Sequence, residues 1–173
     1  PIDSIIIDAK SGISGAGRTK VNENLKDDIH ENFRAYATGG HRHLPEIIEV
    51  LEEIYGSSLK INFLPHLIPA MRGIYSTIYV NFEDTQNKSI EEIYRDFYQD
   101  SLNIELMLDG QVPEILKVAE TNNCQIGVYQ SAIENQVVII SAIDNLVKGA
   151  AGQAIECYNL MTGNYQLKGI HSG

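Results

Sequence analysis

Segments rich in Ile, Val, Tyr and Thr constrain the fold of this chain more than any other feature. They lie at residues 4–8, 59–67, 73–82, 125–132 and 136–143, and the helical patterns between them are too few to alternate with them. A doubly wound parallel sheet requires that alternation and is not expected. The pattern predicts an α+β fold, with a mostly antiparallel or mixed sheet and helices packed on one face. Residues 4–8 do not alternate in polarity and read as a strand buried on both faces. Two further strands are expected at 32–38 and 104–108, and 125–132 should form a hairpin with 136–143 around Glu134-Asn135. Pro45, Glu46 and Gly56 bracket a helix over 45–55 whose apolar residues share one face. Ser89 with Glu92 spells a capping box for a helix to about residue 100. A last helix is expected over 146–161, with Gly149-Ala150-Ala151-Gly152 giving its first turns a small side.

Size and charge bound the function. The 173 residues suit one domain with its own core. A net charge of -10 argues against a nucleic-acid partner, which needs a surplus of Lys and Arg. An anionic metabolite needs only a few basic residues gathered at one place. Arg18, Arg42 and Arg72 each sit in a glycine-, histidine- or proline-rich stretch suited to that purpose. No apolar run is long enough to span a membrane and no secretory signal is visible, so a cytoplasmic protein is expected. Cys124 and Cys157 lie among apolar residues without metal or disulfide spacing and read as buried free thiols.

Three stretches carry candidate chemistry. In "IIIDAKSGISGAGR" a strand breaks into a small-residue loop. Its glycines stand in the wrong order for a dinucleotide fingerprint, and no clear helix opens at its end. The loop amides, with Ser11, Ser14, Gly15 and Arg18, could converge on an oxyanion; the alternative is a plain surface loop. In "GGHRHLPEI", His41 and His43 precede a helix N-terminus, whose positive end disfavours imidazolium and leaves a neutral general base. A turn-capping histidine is the competing explanation. A metal site adding His66 lacks supporting spacing, so none is expected. In "AIDNLVKGAAGQAIECYNLM" the small helix side would admit a backbone or a flat ring, although tight packing is its commoner use.

These stretches, together with "NFLPHLIPAMRGI", resemble in order and spacing the N-acetyl-γ-glutamyl-phosphate reductases over essentially the whole chain. A more distant resemblance is to aspartate-β-semialdehyde dehydrogenase. The resemblance implies a fold like the C-terminal domain of glyceraldehyde-phosphate dehydrogenase-type enzymes. It implies one substrate-binding and dimerisation domain over 1–173, acting on N-acetyl-γ-glutamyl phosphate with NADP in arginine synthesis, in a homodimer or tetramer. The family's Rossmann domain and nucleophilic cysteine would precede Pro1, so the chain alone is expected to be inactive. Neither Cys124 nor Cys157 resembles that nucleophile's setting.

By the same resemblance His41 is the acid/base, with His43 as the fallback. Ser11, Ser14, Gly15 and Arg18 would hold the substrate, assisted by Arg42 and more weakly by Lys148. Gly149, Gly152 and Asn159, on a helix facing the cofactor domain, would lie near the nicotinamide. A non-catalytic oligomerisation module and a lysine-pathway relative acting on a carrier-linked aminoadipyl phosphate remain as alternatives.

Overall fold

A computed structural model describes residues 1–16, 31–83 and 89–170. Its centre is a seven-stranded mixed sheet in the order β2-β3-β1-β4-β7-β6-β5. The strands are β1 (Ile2–Ser11), β2 (Arg34–Ala35), β3 (Lys60–Leu67), β4 (Ile74–Phe82), β5 (Ile104–Met107), β6 (Cys124–Gln130) and β7 (Gln136–Ile143). The helices are α1 (Leu44–Tyr55), α2 (Ile90–Tyr98), the short α3 (Ile115–Val118) and α4 (Gly152–Met161). β1 pairs with β3 and β5 with β6 in parallel, and the remaining neighbours are antiparallel.

Alternation of side chains across the pleat divides the sheet into two unlike faces. Ile5, Val80 and Val137 stand opposite one another on β1, β4 and β7 and form the buried core. Leu51 of α1 and Ile90 of α2 pack against that cluster, so the helices cover this face. On the other face Ile6, beside Tyr79, is 40% exposed, against 7% for Ile5. The expectation that the first strand is buried on both faces is therefore corrected. An unbroken apolar run showed that both faces are apolar, but on the second face the short α3, with Ile115 and Leu116 beside Lys10 and Tyr75, covers one end and leaves Ile6 outside it.

α1 keeps its expected limits: Pro45 lies in its first turn, and Gly56 at φ 80° donates its N–H to the Glu52 carbonyl (2.8 Å). Ser89 precedes α2, but its side chain makes no capping bond; Glu91 and Glu92 complement the helix dipole instead. The strand expected at 32–38 shrinks to Arg34–Ala35, paired with Leu67 and His66. The turn at Pro69–Gly73 closes no hairpin, because β1 lies between β3 and β4.

The helix expected over 146–161 is not uniform. Val147–Ala151 forms a π turn, with Gly149 N–H on the Asp144 carbonyl (2.8 Å) and Ala151 N–H on Leu146 (3.2 Å), before α4 begins. The wider turn brings backbone close to its small residues: a Cβ on Gly149 would stand 3.3 Å from the Asp144 carbonyl oxygen. α3 was not expected, and Gly73 makes room for it, since a Cβ there would meet Ile115 at 2.8 Å.

Candidate functional site

Ser11, Leu67, Ile74 and Ile143 lie at one end of the sheet, and the connections leaving that end build the candidate site. After β1 the chain turns through a 3-10 segment, Ile13–Ala16, and docks on the β3–β4 connection. The N–H groups of Gly12, Ile13 and Ser14 donate to the carbonyls of Gly73 (2.8 Å), Ala70 (2.9 Å) and Met71 (3.0 Å). The loop amides expected to converge on an oxyanion are thus spent on backbone at these positions. Each buried N–H needs a partner, and the turn supplies it. The Ser11 hydroxyl donates to the Gly12 carbonyl (3.1 Å). Gly12 has no space for a side chain, because a Cβ would lie 2.8 Å from the Arg72 carbonyl carbon.

Asp144 and Asn145, directly after β7, hold these segments together. Asn145 accepts the Gly73 N–H at Oδ1 (2.8 Å) and donates through Nδ2 to Ser14 Oγ (2.9 Å), with Gly15 beside it. Asp144 has a side chain 0% exposed, yet its four partners are all donors. Oδ1 accepts from Leu146 N–H (2.7 Å) and Val147 N–H (2.9 Å), while Oδ2 accepts from Glu120 N–H (2.7 Å) and Arg72 Nη1 (3.0 Å). Burial alone would raise this carboxyl, but the backbone donors and the guanidinium hold it below the ordinary carboxylate range. Sequence reading noted Arg72 as a basic residue but missed this hub. The signal was present in an acid–amide pair directly after an apolar strand.

A second buried network lies behind the π turn. The Glu156 carboxylate accepts from Lys148 Nζ (2.6 Å), Asn122 Nδ2 (3.0 Å), Asn103 Nδ2 (3.1 Å) and Gln166 Nε2. Lys148 is therefore committed to an ion pair. Burial pushes the Glu156 carboxyl up, and the bonds from Lys148, Gln166 and Asn122 bring it below its usual value. Gly152 is buried against Asn122 and Val147, with no room for a Cβ. Asn159 is also buried and spends its amide N–H groups on the carbonyls of Gln166 and Lys168 (2.9 Å each). Gly149, Ala150 and Ala151 face solvent.

The histidines stand elsewhere, at the start of α1. His41 Nδ1 accepts the His43 backbone N–H at 3.2 Å, and its ring meets His43, Phe63 and Tyr36 at centroid distances of 4.8, 5.4 and 5.6 Å. An accepting Nδ1 leaves the proton of the neutral ring on Nε2, which points a donor away from the backbone. His43 and Arg42 are exposed. His66 does not join them: it faces Asp8 on the side of the sheet opposite α1 and α2 (2.9 Å) and stacks on Phe33. Among the described residues no group of three His, Cys, Asp or Glu could hold a metal ion. Arg18 lies outside the described residues.

Burial lowers the His41 pKa from its ordinary 6.5, reinforced by the charges of His43 and Arg42. The unfolded chain then takes up this proton first. The stability contributed by neutral His41 is complete above 6.5 and lost as pH falls through the window just below it. An NMR titration should place the His41 imidazole below 6.5, and a midpoint at or above that value would contradict this environment. Burial pushes the Cys124 thiol up to about 11, so it is a poor nucleophile at neutral pH. The expectation that both thiols are buried is corrected for Cys157, which is free but exposed on α4 because it lies on the side of that helix turned from Glu156 and Asn159.

Residues 1–145 match the family described as semialdehyde dehydrogenase, dimerisation domain. The chain belongs to that family. Among curated relatives of this semialdehyde dehydrogenase domain, an N-acetyl-gamma-glutamyl-phosphate reductase of Alkaliphilus metalliredigens is 44% identical over 169 residues, covering 97% of this chain and 49% of the relative. A second, from Caldicellulosiruptor saccharolyticus, is 46% identical over 159 residues, covering 91% of this chain and 46% of the relative. The domain thus spans about half the length of the curated relatives it matches. Its fold is that of aspartate semialdehyde dehydrogenase II from Vibrio cholerae, solved with ASA (TM-score 0.73, 18% identity, covering 95% of this chain and 56% of that one). No helix among the described residues is long and apolar enough to cross a membrane.

Proposed function

We propose that this semialdehyde dehydrogenase domain is the substrate-binding and dimerisation part, over 1–173, of an NADP-dependent reductase. The enzyme would convert N-acetyl-γ-glutamyl phosphate to N-acetylglutamate semialdehyde and phosphate in arginine synthesis. The observation carrying this reading is the identity of 44% along nearly the whole chain with a protein of that name. A thiolate outside these residues attacks the acyl carbon, and the C–O bond to phosphate breaks with its electron pair on phosphate. The resulting thioester accepts hydride, and the C–S bond then breaks to give the aldehyde. Both tetrahedral species carry charge on the former carbonyl oxygen. A donor aimed at that oxygen lowers both barriers.

His41 is the residue of this chain assigned as the acid/base, which handles the thiol's proton and can donate to that oxygen, with His43 in reserve. Its Nε2–H is oriented by the backbone bond at Nδ1. Ser11, Ser14, Gly15 and Arg18 would receive the anionic ends of the substrate, assisted by Arg42, which adjoins His41 in sequence. Lys148 would need to leave Glu156 to take part.

NADP, when bound, supplies the hydride. One solved fold neighbour, an aspartate semialdehyde dehydrogenase from Candida albicans, is described with NADP (TM-score 0.69, 17% identity, covering 94% of this chain and 51% of that one). The exposed small residues Gly149, Ala150 and Ala151 would let a ring approach. Gly152 and Asn159 would shape that surface from beneath, being buried and already in contact with the chain. Binding of the cofactor phosphates is assigned to a dinucleotide-binding half outside these residues, which the helix over 146–161 would face. Free thiols at Cys124 and Cys157 suit a reducing cytoplasm.

The sheet face opposite α1 and α2, where Ile6, Tyr79 and Val138 lie, would pack against a second copy in a dimer or tetramer. At tens of micromolar, by order of magnitude, the chain should sediment as a dimer or larger, and a purely monomeric profile would contradict this role.

The activity is tested by joining this chain to the dinucleotide-binding half of the Alkaliphilus relative. NADPH oxidation should follow addition of N-acetyl-γ-glutamyl phosphate. Preference for a carrier-linked aminoadipyl phosphate would assign the chain to lysine synthesis instead.

A further inference from the structure

Arg72 takes no part in the chemistry described so far, yet its side chain is held in place at the end of the sheet. Its Nη1 donates to Asp144 Oδ2 at 3.0 Å, and that carboxylate is itself fixed by three backbone N–H groups. A guanidinium carries five N–H donors, and Asp144 engages one of its nitrogens. Nη2 stands 3.9 Å from Glu120 Oε1, beyond hydrogen-bond distance, and the Glu120 side chain is 79% exposed. Arg72 itself is 34% exposed. The guanidinium is thus anchored from below and open above, beside a carboxylate that solvent can displace.

Ser14 is docked on the same connection: its N–H donates to the carbonyl of Met71, the neighbour of Arg72. Its Oγ accepts from Asn145 Nδ2 at 2.9 Å, which leaves the hydroxyl proton to donate elsewhere. The adjacent residues Asp144 and Asn145 therefore fix one donor each, a forked cation and a hydroxyl. The acceptor matching both is an oxyanion.

We propose that Arg72 and Ser14, aimed by Asp144 and Asn145, form an oxyanion-binding subsite that takes a carboxylate or phosphate group. This deepens the reductase reading and rests on it only for the ligand's identity, since the substrate offers both a carboxylate and a phosphate. Asp144 and Asn145 are positioning residues, and Arg72 and Ser14 touch the ligand.

The 173-residue chain is titrated separately with N-acetyl-L-glutamate and with inorganic phosphate while the Arg72 guanidinium is followed by 15N NMR. The guanidinium signals should shift saturably, with a Kd of about millimolar order. Arg72→Lys, which keeps the charge and loses the fork, should weaken binding by about tenfold or more. Saturation by N-acetyl-L-glutamate supports both the subsite and the acyl-glutamate substrate. Saturation by phosphate alone supports the subsite and counts against the carboxylate as its occupant. If neither anion moves the Arg72 signals, or if Arg72→Lys binds them unchanged, the subsite is overturned. Should Arg72→Lys fail to fold, the unsubstituted chain's guanidinium signals still decide.

Discussion

Glu156→Ala should lower the stability of this chain by about 3–5 kcal/mol. The Glu156 and Lys148 side chains are 5% and 14% exposed, so removing the carboxylate strands an ammonium and the amide donors of Asn122 and Gln166 away from water, and leaves Asn103 only its bond to the Asn122 carbonyl. For a chain of this length the loss corresponds to roughly 10 °C in Tm. Glu156→Gln should cost less, because the amide oxygen still accepts while the charge is lost. Replacing both partners by apolar residues should recover much of the loss, since the desolvation of two charges is then avoided. The same network makes the fold acid-labile. The folded Glu156 pKa lies below its ordinary 4.5, so the unfolded chain protonates first, and the stability held above 4.5 falls as pH drops through the lowered value. Chemical denaturation of the two variants checks both points, and a change under about 1 kcal/mol for Glu156→Ala would contradict the network's role.

The second large effect is on turnover. In the chain joined to a dinucleotide-binding half, His41→Asn should reduce kcat by roughly two to four orders of magnitude, the usual worth of a positioned acid/base or oxyanion donor. His41→Gln can carry an amide N–H near the place of Nε2. It should retain more activity than Asn if donation, not proton transfer, is the task. KM should change little in either variant, because the oxygen gains its charge only during reaction. A large loss in His43→Asn with His41→Asn nearly silent would move the role by two residues. Steady-state kinetics of the three variants decides between these outcomes.

Much of this architecture was legible because strands and turns leave local marks. The β6–β7 hairpin is signalled by Asn135, which adopts φ 57° between two β-branched runs. Pro45 and Gly56 bracket α1 through rules that act within one turn. Strand order was not legible, since pairing β1 between β3 and β4 depends on contacts far apart in sequence. The π turn was hidden for a related reason. "VKGAA" has the composition of an ordinary helix, and only the Asp144 carboxylate, capping Leu146 and Val147, sets its wider start.

The candidate site divides in the same way. Ser14 and His41 were visible as residue types in suggestive settings, but their hydrogen bonds were not. The amides of the opening loop invite an oxyanion in sequence and turn out to grip a neighbouring turn. Asp144 and Asn145 resemble any polar strand end until the fold buries them. Lys148 reads as an available cation and is paired with Glu156, eight residues on, through the extra residue of the π turn.

The reductase role is tested most directly by rapid mixing of the joined protein with N-acetyl-γ-glutamyl phosphate in the absence of NADPH. Thioester formation predicts release of phosphate equal to the number of active sites, after which release stops until NADPH is added. No phosphate burst, or release only when NADPH is present, would contradict the reductase role proposed for this chain.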